Sequence, residues 1–285
     1  MRLGKGWRAD IGRRRLVAGR NKYVGTTVDK ALSLLGYFNE QRADIGLSEL
    51  SRLSGFDKAA VLRMMQALCR HGFAEQTPET KKYRLGPSFL RFARLRELNL
   101  PTTEAVQPIL DALAADAKET CHFSMRTGRK LSTIMVAESP QFTRVHIDVG
   151  GELPFTATAS GLAILAFSDP KLADELAADP ITYTATSPAS SQAVLERAAQ
   201  ARKLGYSCSP GYFEDEVFSI GAPVFGTDGQ AIAAICIATP QSRMTPALEA
   251  EHIARVMQAS RKATLALGAV IPAAFRHLFE LREVA

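Results

Sequence analysis

The sequence predicts an α+β protein with two domains, a small helical one that ends in a β-hairpin and a larger one built on an antiparallel sheet. Three observations support this fold class. Residues 27–86 read as three short helices and a hairpin, several segments between 120 and 239 alternate between apolar and polar side chains as strands do, and a basic helical segment separates the two patterns. Strands that follow one another as hairpins, with helices between them, indicate an antiparallel sheet and not a doubly wound parallel one.

The first domain opens with three predicted helices. Asp29 to Phe38 carries apolar residues at helical spacing. Ser48 to Leu53 forms a short second helix with Ser48 as its N-cap, and Gly55 ends it. The third helix begins at Asp57, runs to about His71 and buries a stripe of Val61, Met64, Met65 and Leu68. Two helices joined by a tight turn that contains glycine are what a helix-turn-helix requires.

A β-hairpin with a basic return strand follows the third helix. Residues 72–76 and 81–85 read as its strands, and Thr77 to Thr80 supplies the turn. The return strand carries three cations, Lys81, Lys82 and Arg84. A hairpin in this place is the wing of a winged helix, so the sequence predicts a domain that binds double-stranded DNA. The alternative for the three cations is a solvated hairpin.

The segment from Pro87 to Leu100 is predicted to be a basic amphipathic helix that connects the domains, and Pro101 ends it. Its apolar side, with Phe89, Phe92 and Leu95, suits pairing with a second subunit. The elements predicted after it are helices over 102–118, 160–167, 170–178, 190–204 and 246–267, and strands over 121–126, 131–137, 144–149, 219–225 and 230–239, with a further strand that begins at 205.

Positive charge is concentrated at the start of the chain. The net charge is +6, and residues 1–22 hold eight lysines and arginines against one aspartate. Such an arm is predicted to be disordered and is suited to contact the DNA backbone. Two alternatives remain open: translation that starts nearer Val24, and an organelle transit peptide. The four cysteines lack metal-type spacing, and no signal peptide or membrane-length apolar run is present, so a soluble, cytoplasmic protein with no membrane partner is expected.

The sequence offers little to an enzyme. The pattern G-x-S-x-G is missing around Ser160 and Ser219, and the five histidines form no H-E-x-x-H motif. Cys121 and His122 are adjacent in a predicted strand, so their side chains point to opposite faces and cannot share a metal. The acidic run from Glu214 to Glu216 reads as a solvated loop. No catalysis, cofactor or metal is expected.

The order of these motifs resembles the IclR-type transcriptional regulators. The matching blocks are VDKALSLL, LSELSRLSGF, KAAVLRMMQALCRHGFAE and YRLGP in the first domain, and GGELPFTATASGLAILAF, RKLGYSCS and IGAPVFGTDGQAIAAICIATPQSRMT in the second. The resemblance implies a winged-helix domain and a GAF-like domain that binds a small effector, in a dimer or tetramer that represses or activates genes. The expected boundaries are a basic arm over 1–22, the winged helix-turn-helix over 23–86, a linker helix over 87–101, the effector domain over 102–270 and a tail over 271–285.

The start of the third helix is expected to enter the major groove of an operator. The residues there are Lys58, Ala59, Ala60 and Arg63, after Asp57. The family commonly has Ser-Thr in place of Ala59-Ala60, so base readout is expected to depend on Lys58, Arg63 and the wing. Lys81, Lys82 and Arg84 are expected to contact phosphate.

The resemblance also implies an effector site. The positions that match it are Ala159 and Ser160 for backbone donors at a helix start, Ser209, Ser219, Cys236 and Ala238 for pocket side chains, and Phe142, Val145, Leu153 and Val217 for walls. Small-acid-binding members tend to have an acid in place of Ser209 and a hydroxyl in place of Ala238. The pocket is therefore expected to be less acidic and more apolar, and to suit a carboxylate with an apolar body, an aromatic or short aliphatic acid, or a semialdehyde. Core packing is the alternative for Cys236 and Ala238.

Together these expectations describe a regulator, with repression favoured, whose operator affinity falls when a small acid binds. Two alternatives from other classes stay open. One is an architectural or oligomeric DNA-binding protein that has no effector, and the other is an enzyme that acts on a small acid.

Overall fold

The computed structural model of the chain describes residues 26–39, 42–99 and 101–280. They form two compact units whose boundary falls after Leu95, within the helix that follows the hairpin. Each unit has a hydrophobic core of its own. The basic arm predicted over residues 1–22 lies outside the described residues.

The first unit has the predicted order of three helices and a hairpin. Its elements are α1 (Thr27–Leu35), α2 (Leu47–Ser54), α3 (Lys58–Arg70), β1 (Ala74–Gln76) and β2 (Tyr83–Leu85). β1 and β2 pair antiparallel. The stripe predicted for α3 is confirmed, because its four apolar residues are buried in the core of this unit.

Local hydrogen bonds decide where α1 begins. Thr26 and Asp29 form a capping box, in which each side chain bonds to the backbone of the other residue. The helix therefore begins ahead of Asp29, the first residue predicted for it. It ends at Leu35, and Gly36 follows as the C-cap.

The start of α2 corrects the prediction of Ser48 as its N-cap. Gly46 holds the N-cap position without a side-chain hydrogen bond, and Ser48 lies inside the helix. Gly46 has the extended backbone that an N-cap needs, and glycine is tolerated at this position without a side-chain hydrogen bond. The predicted end of the helix is confirmed, since Gly55 adopts the left-handed conformation with φ of 72°.

The hairpin is shorter than predicted. β2 begins at Tyr83, so Arg84 is the one predicted cation that lies on the strand. Lys81 and Lys82 precede the strand, because Lys81 adopts a left-handed backbone with φ of 56° that interrupts the ladder. After the hairpin, α4 (Ser88–Asn99) corresponds to the helix predicted over 87–100 and is one residue shorter at each end.

The second unit is a six-stranded sheet with helices on both faces. The strand order is β5-β4-β3-β8-β7-β6, and every neighbouring pair is antiparallel, which agrees with the predicted fold class. The strands are β3 (Thr120–Thr127), β4 (Lys130–Ala137), β5 (Glu152–Leu153), β6 (Ser207–Pro210), β7 (Val217–Phe225) and β8 (Ala231–Pro240). The helices are α5 (Thr102–Ala117), α6 (Ala159–Ala166), α7 (Pro170–Ala177), α8 (Ser191–Leu204), α9 (Pro246–Ala266) and α10 (Arg276–Glu280).

The two faces of the sheet are covered by different helices. α5 and α9 cover one face, where Phe123, Ile220 and Ile235 are fully buried. α6 lies on the other face and closely approaches Gly221, since a Cβ atom at that glycine would lie 3.1 Å from the Ala159 carbonyl oxygen. We call the face under α5 and α9 the apolar face, and the face under α6 the α6 face.

The strand predicted over 144–149 is absent from the structure. The segment keeps the alternating burial of a strand, with Val145 and Ile147 half-buried, but it pairs with no neighbouring strand. Side chains hold the segment instead, one at Val145 and one just before it at Thr143. The Thr120 hydroxyl donates to the Val145 carbonyl at 2.7 Å, and Arg243 donates to the Thr143 carbonyl at 3.0 Å.

The chain after α9 packs on the core as far as residue 280. Ile271 and Phe279 are buried in the core of the second unit, and the Phe275 ring lies against Phe167 with centroids 4.8 Å apart. Part of the segment expected to be a tail over 271–285 thus contributes to the packing of the unit.

Candidate DNA and effector sites

The outer face of α3 presents polar side chains to solvent. Ala59, Arg63, Gln66 and Arg70 are exposed and lie on one side of the helix, opposite the buried stripe. Arg63 and Ala59 were predicted for this face. Gln66 and Arg70 were not, although their spacing of three and seven residues from Arg63 is the signal that places them there.

At the start of α3, one side chain caps the helix and others extend into solvent. The Asp57 carboxylate accepts hydrogen bonds from the amides of Ala59 and Ala60, both at 3.1 Å, so it serves as the N-cap. Lys58 is exposed, whereas Ala60 is half-buried and packs on the core. The free side chains at this end of the helix are therefore those of Lys58 and Ala59.

A groove of about 620 Å³ lies between α3 and the hairpin. It brings Lys81 to the same surface as Gln66 and Arg70. The rest of its lining is Leu47, Leu62, Cys69, Gln76 and Tyr83. Lys82 is exposed outside this lining, and the Arg84 side chain pairs with Glu75 of β1 at 2.6 Å. The wing cations thus have three different environments.

In the second unit, strand register brings together most of the predicted effector residues. Ser209 on β6 is opposite Ser219 on β7, Ser219 is opposite Ala238 on β8, and Ala238 is opposite Thr120 on β3. Side chains that face one another across an antiparallel sheet lie on the same face. These four residues therefore form a continuous row across four strands, which we call the outer row.

A second row lies two residues further along the same strands. It consists of Ser207, Gly221, Cys236 and His122 in register. Because strand side chains alternate with a period of two, this inner row shares its face with the outer row. Gly221 is the position that α6 approaches, so both rows belong to the α6 face.

Side-chain hydrogen bonds hold the start of α6 against these rows. Ser207 donates to the Ala159 carbonyl at 2.5 Å, and Ser209 donates to the Ala157 carbonyl at 3.0 Å. The approach of α6 to its preceding loop also excludes any side chain at Gly161, where a Cβ atom would lie 2.3 Å from the Phe155 carbonyl oxygen. The small residues of both rows are what allow the helix to lie this close to the sheet.

The first turn of α6 presents unpaired donors. Thr158 is the N-cap, and its hydroxyl accepts from the Gly161 amide at 3.1 Å. The amides of Ala159 and Ser160 have no hydrogen-bond partner among the described residues, and both residues are buried. Unpaired amides at the positive end of a helix dipole attract an anion. This is the backbone arrangement that was predicted for Ala159 and Ser160.

The polar side chains beside this turn are electrically neutral. Burial raises the pKa of the Cys236 thiol, against a smaller lowering by the adjacent Ser160 hydroxyl. Burial lowers the pKa of His122 to about 4. Cys236 and His122 are cross-strand neighbours, but a protonated thiol and a neutral imidazole lack the thiolate that nucleophilic attack requires. The pair is suited to hydrogen bonding.

The predicted wall residues are placed unequally. Val217 lies on the strand of Ser219, and Val145 is held at Thr120 by its carbonyl, so both are half-buried near the outer row. Phe142 is 99 % exposed, and its ring is not brought to the others. Leu153 lies on the edge strand β5, in the lining of a separate cavity of about 230 Å³ near α7.

The loop that carries Phe142 and Val145 is tied to the start of β3. Arg243 binds the buried Glu119 carboxylate through two hydrogen bonds of 2.6 and 2.9 Å and also donates to the Thr143 carbonyl. Ser139 donates to the Lys118 carbonyl at 2.7 Å. A charge-assisted bidentate pair of this kind fixes the loop beside the outer row.

The described residues show neither a metal-binding cluster nor a membrane-spanning helix. In the part of the chain that the structure describes, no group of three or more His, Cys, Asp or Glu side chains is placed to hold a metal ion. Over the same residues, no helix is long and apolar enough to span a bilayer.

A winged helix-turn-helix followed by a sheet domain that buries unpaired amides at the start of a helix is the arrangement of one class, the ligand-responsive DNA-binding proteins. Comparison with known families makes the assignment specific. The model of the bacterial transcriptional regulator IclR C-terminal domain matches residues 95–265, and that of the IclR helix-turn-helix domain matches residues 27–78. The chain belongs to the IclR family of transcriptional regulators.

Curated relatives support the same assignment over nearly their whole length. The chain is 28 % identical over 244 residues to the HTH-type transcriptional regulator XynR of Escherichia coli K12. The alignment covers 85 % of this chain and 97 % of XynR. It is 28 % identical over 258 residues to the transcriptional repressor IclR of the same organism. That alignment covers 85 % of this chain and 90 % of IclR.

Solved structures extend the likeness to the fold. An IclR transcriptional regulator from Silicibacter sp. TM1040 is 40 % identical, with a TM-score of 0.80 that covers 87 % of this chain and 98 % of that one. An IclR homologue from Microbacterium hydrocarbonoxydans, complexed with 4-hydroxybenzoate, is 20 % identical with a TM-score of 0.68, and it covers 85 % and 99 % of the two chains. At that identity the second likeness supports the fold alone.

Proposed function

We propose that this protein is a repressor whose affinity for its operator falls when a small carboxylic acid binds on the α6 face of the second unit. The observation that supports it most directly is the pair of buried, unpaired amides at Ala159 and Ser160. An unpaired buried amide costs free energy, and a bound carboxylate would remove that cost. The proposal includes a winged helix-turn-helix over 23–86, an effector domain over 102–270 and a connecting helix over 87–101.

The side chains near the α6 turn suit an acid with an apolar body. Ser219 is half-buried, and its hydroxyl makes no hydrogen bond with the described residues, so it is free to bind a ligand. Ala238, Val145 and Val217 contribute apolar surface beside it. The Ser209 hydroxyl donates a hydrogen bond to the Ala157 carbonyl, which leaves its oxygen as an acceptor. An aromatic or short aliphatic acid, or a semialdehyde, fits this mixture. Phe142 would become a wall only if its loop closes on the bound acid, and Leu153 lies in a separate cavity.

On the first unit, we assign base readout to α3 and backbone contacts to the wing. Lys58, Ala59, Ala60 and Arg63 are at the end of α3 that would enter a major groove, and Gln66 continues the exposed face. Lys81, Lys82 and Arg84 would bind phosphate, which positions the protein without reading sequence. Because Arg84 pairs with Glu75, its share of the phosphate contact should be smaller than that of Lys82.

The protein should act as a dimer or tetramer in the bacterial cytoplasm, where operator DNA is. α4 exposes four large apolar side chains, which a second copy would cover: Leu90, Phe92, Leu95 and Leu98. A symmetric dimer predicts a palindromic operator with half-sites about one helical turn apart, or a multiple of it. The effector is bound and not converted, because the α6 face offers neutral hydrogen-bonding groups.

Binding to DNA is tested by titration against the DNA upstream of the protein's own gene, with random DNA as the control. Wild-type protein should prefer the upstream DNA, and the preference should persist as salt weakens both complexes. Arg63→Ala should reduce the discrimination by about 1–3 kcal/mol. Lys82→Ala, the matched control, should weaken both complexes alike and reduce the salt slope by about one. A uniform loss for Arg63→Ala would remove it from base readout.

Effector binding is tested by a thermal-shift screen of small carboxylic acids. An acid that binds the folded protein raises the melting temperature by mass action, and the same acid should release upstream DNA and be recovered unchanged. Ser219→Leu should abolish both responses while DNA binding is kept. Ser132→Leu, at another half-buried strand serine, should keep both. If no acid shifts the melting temperature, an architectural role without an effector becomes the better explanation.

A further inference from the structure

His122 is a buried polar group that the function described so far does not use. Its side chain is 5 % exposed, and its Nδ1 atom has no hydrogen-bond partner among the described residues. A buried polar atom without a partner costs free energy comparable to a lost hydrogen bond, so such an atom needs an explanation. A ligand that completes the hydrogen bond is one such explanation.

The position of His122 places it beside the anion-binding turn of α6. His122 is directly opposite Cys236 in the sheet register, and the Cys236 thiol lies next to the Ser160 hydroxyl. Neighbouring strands are about 4.8 Å apart. The imidazole is therefore one strand spacing from the residue that touches the start of α6, and it is on the face that α6 covers.

The neighbours of His122 along β3 leave its ring nitrogen free. Thr120 is committed to the loop through Val145 and Ser139, and Ser124 shares a 3.4 Å contact with Thr133. Neither hydroxyl bonds to the imidazole. The neutral ring has one N–H donor and one acceptor nitrogen, so it can serve either an oxygen acceptor or a hydroxyl donor on a ligand.

We propose that His122 is a specificity-determining residue of the effector site, and that the effector carries a hydroxyl or carbonyl oxygen in addition to its carboxylate. The carboxylate lies at the amides of Ala159 and Ser160, and the second oxygen function bonds to the His122 imidazole. This inference rests on the proposed function, because it adds a contact and a chemical class to the same site. A site built to bond a second oxygen discriminates strongly against acids that lack it.

The test measures dissociation constants by calorimetry for matched acid pairs with the full-length protein. The pairs are 4-hydroxybenzoate with benzoate, 3-hydroxybutyrate with butyrate, and pyruvate with propionate. In at least one pair the oxygen-bearing acid should bind wild-type protein about tenfold more tightly than its parent. His122→Phe should lose that preference and bind the parent acid as wild type does.

Two further variants separate specificity from folding. His122→Gln keeps a hydrogen-bonding group and should retain part of the preference, which also provides a readout if His122→Phe does not fold. His252→Phe replaces another buried histidine, in α9, and should keep the whole preference. The far-ultraviolet circular dichroism spectrum and melting temperature of each variant, compared with wild type, show whether its second unit is folded.

The outcomes distinguish the inference from the function on which it rests. If acids bind wild type but the two members of every pair bind equally, or if His122→Phe keeps the preference, the role of His122 is wrong and the effector function stands. If no acid binds wild-type protein, the effector function fails and the inference fails with it. A preference that His122→Phe removes and His252→Phe keeps would support both.

Discussion

The two faces of the six-stranded sheet bury their residues for different purposes. The apolar face, under α5 and α9, is filled by large side chains such as Phe123, Ile220 and Ile235. The α6 face is lined by small and polar side chains, and among the described residues the Ser219 hydroxyl and the His122 Nδ1 atom of this face have no hydrogen-bond partner. Packing of large apolar groups supplies most of the stability of such a unit. The α6 face therefore gives up some stability and keeps groups that can recognise a ligand.

The largest effect is expected where the α6 face is most crowded. Gly161→Val places a side chain against the Phe155 backbone, where even a Cβ atom would lie 2.3 Å from the carbonyl oxygen. Backbone cannot yield as a side chain does, so we expect a loss on the order of 3 kcal/mol or more in the free energy of unfolding. Urea denaturation of the full-length protein measures it. Gly46→Ser, at a glycine with no atom near its Cβ position, should change little; equal losses would show that crowding is not the cause.

Adjacent residues of β7 compare the two faces directly. Ile220→Ala removes a fully buried side chain from the apolar face and should cost about 2–5 kcal/mol of unfolding free energy. Ser219→Ala, one residue away on the α6 face, should cost less than about 1 kcal/mol, because the hydroxyl has no partner to lose. In effector binding the order should reverse, with Ser219→Ala the weaker binder. A stability loss of similar size at both positions would contradict the division of roles.

The two buried histidines predict how stability depends on pH. His122 lies on the α6 face, and His252 lies in α9, over the apolar face. Burial lowers the pKa of each to about 4, and at His252 the charge of Arg255 lowers it further against the opposing effect of Glu251. Below pH about 6.5 both histidines bind a proton in the unfolded chain but stay neutral in the folded chain. Stability should therefore be fully present above pH 6.5 and decline as pH falls towards 4.

The slope should be at most about 1.4 kcal/mol per pH unit for each histidine. Denaturation at pH 7, 6 and 5 measures it, and His252→Phe should make the slope shallower. If that variant keeps the wild-type slope, His252 does not stay neutral in the folded protein.

The smallest expected effect is a shift in fluorescence emission at Phe142, the predicted wall residue whose side chain is exposed to solvent. Phe142→Trp, made in a Trp7→Phe background because Trp7 is the single tryptophan of the chain, reports on the loop beside the outer row. If Phe142 becomes a wall when an acid binds, the emission of the new tryptophan should shift to shorter wavelength. A bound acid that leaves the emission unchanged would place Phe142 outside the site.

The fold of the first unit could be predicted almost entirely from its sequence, and its candidate DNA-binding residues lie on the outside. The stripe of α3 identifies the buried side, and the exposed side follows from helical periodicity. Sequence reasoning placed Arg63 on that side and left out Gln66 and Arg70, which the same periodicity includes. It gave Ser48 the cap position that Gly46 holds, because helix ends depend on backbone angles that residue types only favour.

The second unit was harder to predict, since its site is formed by residues far apart in the chain. Alternation predicted strands over 121–126, 219–225 and 230–239, which correspond to β3, β7 and β8, but it also predicted one over 144–149, which pairs with no other strand. Resemblance supplied the positions on α6, β6, β7 and β8. It did not supply His122, because an isolated histidine in a strand carries no sequence signal of its role.

The sequence by itself determined most of the elements and their order, the buried stripe of α3 and the family of the protein, since each depends on local periodicity and short motifs. The tertiary structure decided which strands are neighbours and in which register. That register brings Ser209, Ser219 and Ala238 into one row and sets His122 beside Cys236. The physical reason is that a sheet is held by pairings between distant segments, and a shift of one residue would turn every one of these side chains to the opposite face.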